Sequence, residues 1–144
     1  LIINDRADIA LALGADGVHL GQDDMPPEAA RSLLGGGAVV GFSTHGVEQA
    51  IAAARLPVDY IAVGPIFKTA SKENPDPVVG LEGLRRVREA VGRLPLVAIG
   101  GVTRENVPSV LDAGADSVAV ISALLNHEDP SEITRLTRDF LCLL

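Results

Sequence analysis

Two stretches put carboxylates where an apolar run gives way to a loop. Asn4-Asp5-Arg6 follows the run 1–3, and Gln22-Asp23-Asp24 follows the run 17–20. Asp5 and Asp24 are hard oxygen donors. Such a pair suits Mg2+, which takes one or two protein carboxylates and leaves its other positions to water and phosphate. Asn4 adds an amide suited to substrate. The same residues also suit helix N-caps, Asp24 for a helix opening at Met25-Pro26-Pro27. A third run, 39–43, ends in Ser43-Thr44-His45. Its hydroxyls also fit a plain turn, and His45 also fits a hydrogen-bonded structural role. His19 lies inside a strand, as core or as support for the site.

After the fourth run, 60–63, the chain passes from Gly64 to Gly80 with no helical period. Loops this long in compact domains are usually functional lids or disordered insertions. Lys68, Thr69, Ser71 and Lys72 supply cations and hydroxyls suited to phosphate. Gly100-Gly101 follows the fifth run, where missing side chains let the backbone approach a ligand. Ser122 follows the sixth, and N–H groups there suit an anion near a helix start. The site therefore has two anion-handling regions, a metal with lysine and a set of backbone amides. No Ser-His-Asp or Cys-His arrangement and no dinucleotide fingerprint is present. The chemistry implied is departure or transfer at a phosphate-activated centre, with charge neutralisation as the main contribution.

The elements that must position these residues alternate. Six apolar runs (1–3, 17–20, 39–43, 60–63, 96–99 and 117–121) are each followed by apolar residues at helical spacing, such as Ile9, Leu11 and Leu13, or Leu84, Val87 and Val91. Asp24 and Thr103 read as helix starts, Gly14 and Gly114 as helix ends. Gly14-Ala15-Asp16-Gly17-Val18 is echoed by Gly114-Ala115-Asp116-Ser117-Val118, and more weakly by Val58-Asp59-Tyr60-Ile61. Such uniform joints imply parallel strands with crossover helices, as an open doubly wound sheet or a closed barrel, and the repetition favours the barrel. A full (β/α)8 TIM barrel has eight units in about 250 residues and often holds phosphate after strands 7 and 8. Six strands with the phosphate signals after the last two imply an α/β barrel lacking its first two β/α units, a single partial domain over residues 1–144. The chain has no initiator Met, which fits a start partway through a larger protein.

The 144 residues are 47% hydrophobic but only 3% aromatic, so Ala, Val, Leu and Ile must build the core. A net charge of −7 argues against nucleic-acid or anionic-membrane partners and leaves small-molecule substrates. No apolar stretch nears the roughly 18–20 residues that span a bilayer. The one cysteine, Cys142, cannot form an internal disulfide, and a reducing, cytoplasmic setting is expected.

Asn4-Asp5-Arg6, Gly17-Val18-His19-Leu20-Gly21-Gln22-Asp23-Asp24, Gly41-Phe42-Ser43-Thr44-His45, Gly64-Pro65-Ile66-Phe67 and Ile99-Gly100-Gly101-Val102-Thr103 occur in order on consecutive strands. In this combination the chain closely resembles the thiamine phosphate synthase family. The resemblance implies Mg2+-dependent joining of a hydroxymethylpyrimidine diphosphate to a thiazole phosphate, dissociatively, with release of pyrophosphate. It implies Asp5 and Asp24 as Mg2+ ligands, and Asn4, Ser43 and Lys72 as contacts to the pyrimidine diphosphate, Lys72 and Ser43 being catalytic. Thr69, Ala70, Ser71, Gly101, Ile121 and Ser122 would hold the thiazole phosphate. The family usually has threonine where Ser71 stands and proline where Lys68 stands. Its basic pyrophosphate clamp lies on the second barrel strand, outside this chain. The 144 residues alone are therefore expected to be inactive, with open strand edges that invite swapping, aggregation or oligomerisation. A related thiazole tautomerase carries a histidine where this chain has Pro65 and lacks the aspartate found here as Asp5. A non-catalytic phosphate-binding barrel fragment is the rival from another class, and an unrelated barrel isomerase sharing only the last two loops is a third.

Overall fold

The computed structural model describes residues 1–69 and 76–144. Strand and helix alternate as β1 (Ile2–Asn4), α1 (Ala7–Leu13), β2 (Gly17–Leu20), α2 (Pro27–Leu34), β3 (Val39–Thr44), α3 (Val47–Ala53), β4 (Tyr60–Val63), α4 (Gly80–Val91), β5 (Leu96–Ile99), α5 (Val107–Asp112), β6 (Ser117–Ala119), α6 (Ser122–Leu125) and α7 (Pro130–Leu141). The six strands are all parallel and lie in the order of the sequence, a curled half-barrel sheet. A doubly wound sheet reverses its order at a switch point. Here there is none. Crossovers of one hand advancing in one direction keep the helices on a single face and leave the other free.

Period-two alternation divides the strands between these faces. Val18, Leu20, Val40, Ile61, Val63, Leu96 and Ala98 are buried beneath the helices with Leu84 and Val87 of α4. The opposite face carries Asn4, His19, Gly41 and Tyr60, one cross-strand row in mutual register. Ser43 and Ala62 form the next row toward the strand ends. Small side chains on this face leave the space that becomes the site.

The repeated aspartate joint has a structural reason. The N–H of Asp16, Asp59 and Asp116 donates to the carbonyl of Leu1, Val40 and Leu96, at 2.9, 2.7 and 2.8 Å. Each carboxylate turns back to accept from the nitrogen of that same residue. One aspartate thus locks the start of the preceding strand in β1–β2, β3–β4 and β5–β6 alike. Arg31 of α2 braces Asp59 at 2.6 Å, and Arg88 of α4 braces Asp116. Asp116→Ala orphans the Leu96 N–H at the head of a buried strand. Urea unfolding should show a loss of about 1–3 kcal/mol, mostly from that N–H, because an exposed ion pair contributes little. Asp116→Asn, which keeps an acceptor oxygen, should lose less.

Two sequence expectations need correction. Asp24 does not cap the Pro26 helix: α2 begins at Pro27 with Pro26 at its N-cap and no side-chain cap bond. Thr103 does not start its helix either, since residues 103–106 form a turn and α5 begins at Val107. Ile9, Leu11 and Leu13, read as helical from their spacing, do lie in a helix, α1. Ala7 and Ala10 are buried, their small side chains allowing close approach to the sheet, while Ile9, Leu11 and Leu13 are exposed.

Candidate active site

The free face opens at the C-terminal strand ends into a cleft of about 370 Å3. It runs from Asn4 on β1, past Ser43 on β3 and Gly64 after β4, to Gly100 and Gly101 after β5 and to Ile121 and Ser122 after β6. Thr69, at the end of the described β4 loop, also lines it. Ala70, Ser71 and Lys72 lie outside the described residues. Asn4, Ser43, Thr69, Gly101, Ile121 and Ser122 are thus brought around one cavity.

Asp5 and Asp24 do not line that cavity but stand beyond the tips of the neighbouring strands β1 and β2, on the same rim. Asp5 has φ +64°, the left-handed region that aspartate tolerates better than most residues. Its N–H extends the β1–β2 ladder by donating to the His19 carbonyl at 2.8 Å. Asp24 folds back so that its Oδ2 accepts from the Gly21 N–H at 2.6 Å. That accounts for one carboxylate oxygen and holds the other in a fixed orientation. Two carboxylates on adjacent strand tips are a donor set that fits Mg2+, which completes its octahedron with water and ligand oxygens. Among the described residues no group of three or more His, Cys, Asp or Glu side chains gathers to hold a metal.

The glycine pair has a different local cause from the one expected. Gly100 and Gly101 have φ +90° and +68°. A Cβ on Gly100 would lie 2.6 Å from Pro65, and one on Gly101 2.7 Å from the Lys68 carbonyl oxygen. Close approach here is first of all by the β4 loop, whose Ile66 and Phe67 N–H groups donate to Ile99 and Gly100 carbonyls at 2.9 and 3.0 Å. The pair still forms part of the cleft wall. Asn106, which sequence reading passed over, donates to the Gly101 carbonyl at 3.1 Å and accepts from the Thr103 N–H at 2.8 Å. An Asn three residues after a Gly-Gly-Val-Thr turn was the available signal.

His45 anchors rather than reaches. Its Nδ1 donates to the Gly64 carbonyl at 2.7 Å, and its Nε2 lies 3.4 Å from Asp76 across the cleft mouth. Ser43 is supported from below: its Oγ is 2.8 Å from His19 Nε2, and His19 Nδ1 is 2.9 Å from the Tyr60 hydroxyl. Burial pushes the His19 pKa below its ordinary 6.5, partly offset by the Asp24 charge. The folded protein therefore binds this proton less readily than the unfolded chain. As pH falls through about 6.5 and on through the depressed folded value, the unfolded state is increasingly favoured. Melting temperatures measured from pH 7.5 to 5 should fall for the native protein, with the His19→Gln variant showing a shallower slope.

Strand-end carboxylates, a serine held by a histidine, and a glycine loop all lie within residues 1–124, and this span matches the family model described as thiamine monophosphate synthase. The chain belongs to the thiamine monophosphate synthase family. A thiamine-phosphate synthase of Koribacter versatilis is 62% identical over 125 residues, covering 87% of this chain and 59% of that protein. One from Clostridium novyi is 50% identical over 129 residues, covering 90% and 63%. The thiamine phosphate pyrophosphorylase structure from Pyrococcus furiosus superposes with a TM-score of 0.83 at 39% identity, covering 99% of this chain and 68% of that one. The chain thus spans about three-fifths of the length of the curated family members it matches.

Proposed function

We propose that this chain is the larger part of a thiamine phosphate synthase, an enzyme that joins 4-amino-2-methyl-5-hydroxymethylpyrimidine diphosphate to thiazole phosphate and releases pyrophosphate. The observation that carries this reading is one cleft lined by Asn4 and Ser43 near the Asp5 and Asp24 strand tips and by Gly101, Ile121 and Ser122 after the last two strands. That layout suits a diphosphate and a monophosphate held with their reacting centres between them.

Asp5 and Asp24 would hold Mg2+, which when bound supplies a Lewis-acidic charge against the diphosphate. Asn4 and Ser43 hydrogen-bond the pyrimidine substrate, and Lys72 adds a cation on the leaving group. Thr69, Ala70, Ser71, Gly101, Ile121 and Ser122 seat the thiazole phosphate. The methylene C–O bond breaks with its electron pair passing to pyrophosphate. The thiazole nitrogen then donates its lone pair to the pyrimidine-methyl cation and forms the C–N bond. No strong base is needed. Positioning and charge neutralisation carry the rate.

Residues 1–144 would form one partial barrel domain, completed by two further β/α units. Exposed Leu1 and Ile2 at the open β1 edge, Leu11 and Leu13 on α1, and Ile121 and Leu125 beyond β6 support that completion, since each is a large apolar side chain at or beside a sheet edge. A synthase of this kind acts on small molecules, most simply in the cytoplasm. Among the described residues no helix is long and apolar enough to cross a membrane.

Incubating the full-length protein with both substrates and Mg2+ tests this, with products followed by mass spectrometry. Thiamine phosphate and pyrophosphate should appear in equal amounts. Thiazole isomerisation without condensation would instead establish the tautomerase activity, which Pro65 and Asp5 argue against.

A further inference from the structure

His19 on β2, Gly41 on β3 and Tyr60 on β4 occupy one cross-strand row, and Ser43 lies one step further along the same face of β3. Tyr60 reaches His19 only because position 41 has no side chain. A Cβ there would sit 2.1 Å from the Tyr60 Cζ and 2.4 Å from its hydroxyl. The Tyr60 ring therefore lies over β3 and stacks on the imidazole, centroids 5.4 Å apart at 29°. The result is a chain of contacts from the Tyr60 hydroxyl through both ring nitrogens of His19 to the Ser43 hydroxyl at the cleft.

A neutral imidazole has one N–H and one lone pair, so this chain has a direction. In one arrangement Tyr60 donates to Nδ1, Nε2–H donates to Ser43 Oγ, and the serine proton is free for the cleft. In the other every bond reverses, the serine presents only lone pairs, and the half-buried phenol proton needs another acceptor. Among the described residues the Tyr60 hydroxyl meets no other acceptor. A phenol is also the more acidic donor, and its oxygen the poorer acceptor, because its lone pair is delocalised into the ring. Stranding the phenol proton forfeits a hydrogen bond that the first arrangement keeps.

We propose that Tyr60 is a positioning residue which, through His19, fixes Ser43 as a hydrogen-bond donor to the cleft, so that Ser43 selects an anionic acceptor oxygen and rejects a donor group. The proposal rests on the phosphate-binding reading given above for the nature of the ligand, but not for the tautomer. Gly41 belongs to the device as the vacancy through which the ring passes.

The test is 15N NMR of the full-length protein with labelled histidine at pH 7.5, in the native form and in Tyr60→Phe. Phenylalanine keeps the ring over Gly41 and removes only the hydroxyl. Native His19 should be the Nε2–H tautomer, and in Tyr60→Phe the tautomer ratio should move about five- to tenfold toward Nδ1–H, the share of one neutral hydrogen bond. In parallel, affinity for inorganic pyrophosphate with Mg2+ should fall about five- to tenfold in both Tyr60→Phe and Ser43→Ala, with no further loss in the double variant, because both act through one hydroxyl. A native Nδ1–H tautomer, a ratio unmoved by Tyr60→Phe, or additive losses would overturn the proposal. Native protein that shows the Nε2–H tautomer yet binds no pyrophosphate would sink the phosphate reading while leaving the relay standing.

Discussion

Asp5→Asn and Asp24→Asn in the full-length protein should each lower kcat/KM for thiamine phosphate formation by about 100-fold or more, equivalent to about 2.7 kcal/mol of transition-state stabilisation. Asparagine is the informative replacement at both sites. At position 5 it tolerates the left-handed backbone that alanine does not, and at position 24 its carbonyl oxygen still accepts from the Gly21 N–H. Each variant therefore keeps these backbone features while it loses a charge, and the unfolding free energy of Asp24→Asn should stay within about 0.5 kcal/mol of native. The double variant should fall little below either single one, since both carboxylates act on one ion. Activity within threefold of native in either variant would remove that aspartate from the mechanism.

Gly41→Ala should be strongly destabilising for the addition of one methyl group on the inner face. The added Cβ overlaps the Tyr60 ring, so the ring must leave its place over β3. Forced repacking costs about 1–3 kcal/mol, and the lost Tyr60–His19 hydrogen bond adds about 1 kcal/mol. Against a total stability of about 5–15 kcal/mol, that should lower the melting temperature by roughly 6–12 °C in a domain of this size. Combining Gly41→Ala with Tyr60→Leu removes the overlap and should restore much of the melting temperature, though not the support for Ser43. A Gly41→Ala protein that melts as the native one does would show that the ring has somewhere else to go.

The two predictions mark where the sequence speaks and where it falls silent. Strands such as 60–63 and 96–99 are legible because a parallel strand buried beneath helices is a short continuous apolar run, and no turn signal competes with it. The joints at Asp16, Asp59 and Asp116 are visible as an echo, though only the structure shows that each aspartate locks the head of the strand before it. Residues at strand ends, Asn4, Asp5, Ser43 and Gly101, could be picked out because the parallel barrel places its site there whatever the register.

What stayed hidden depends on register or on competition between partners. His19, Gly41 and Tyr60 are far apart in sequence and meet only through a row fixed by three strands. The residue types at 24 and 103 fit a helix cap, but the Gly21 N–H and Asn106 offered these segments better local partners. Leu11 and Leu13 share helical spacing with a packed face, yet Ala7 and Ala10 bring the helix closer to the sheet and win the contact. Lys72, the cation assigned to the leaving group, falls in the stretch 70–75 outside the described residues.

The most direct test of the shared-magnesium site is a crystal structure of the full-length protein with Mg2+ and pyrophosphate. The account predicts one octahedral ion with an oxygen of Asp5 and an oxygen of Asp24 each at about 2.0–2.1 Å, its remaining positions filled by water and pyrophosphate. An ion coordinated by neither aspartate, or pyrophosphate bound at the far end of the cleft against Gly101 and Ser122, would contradict it.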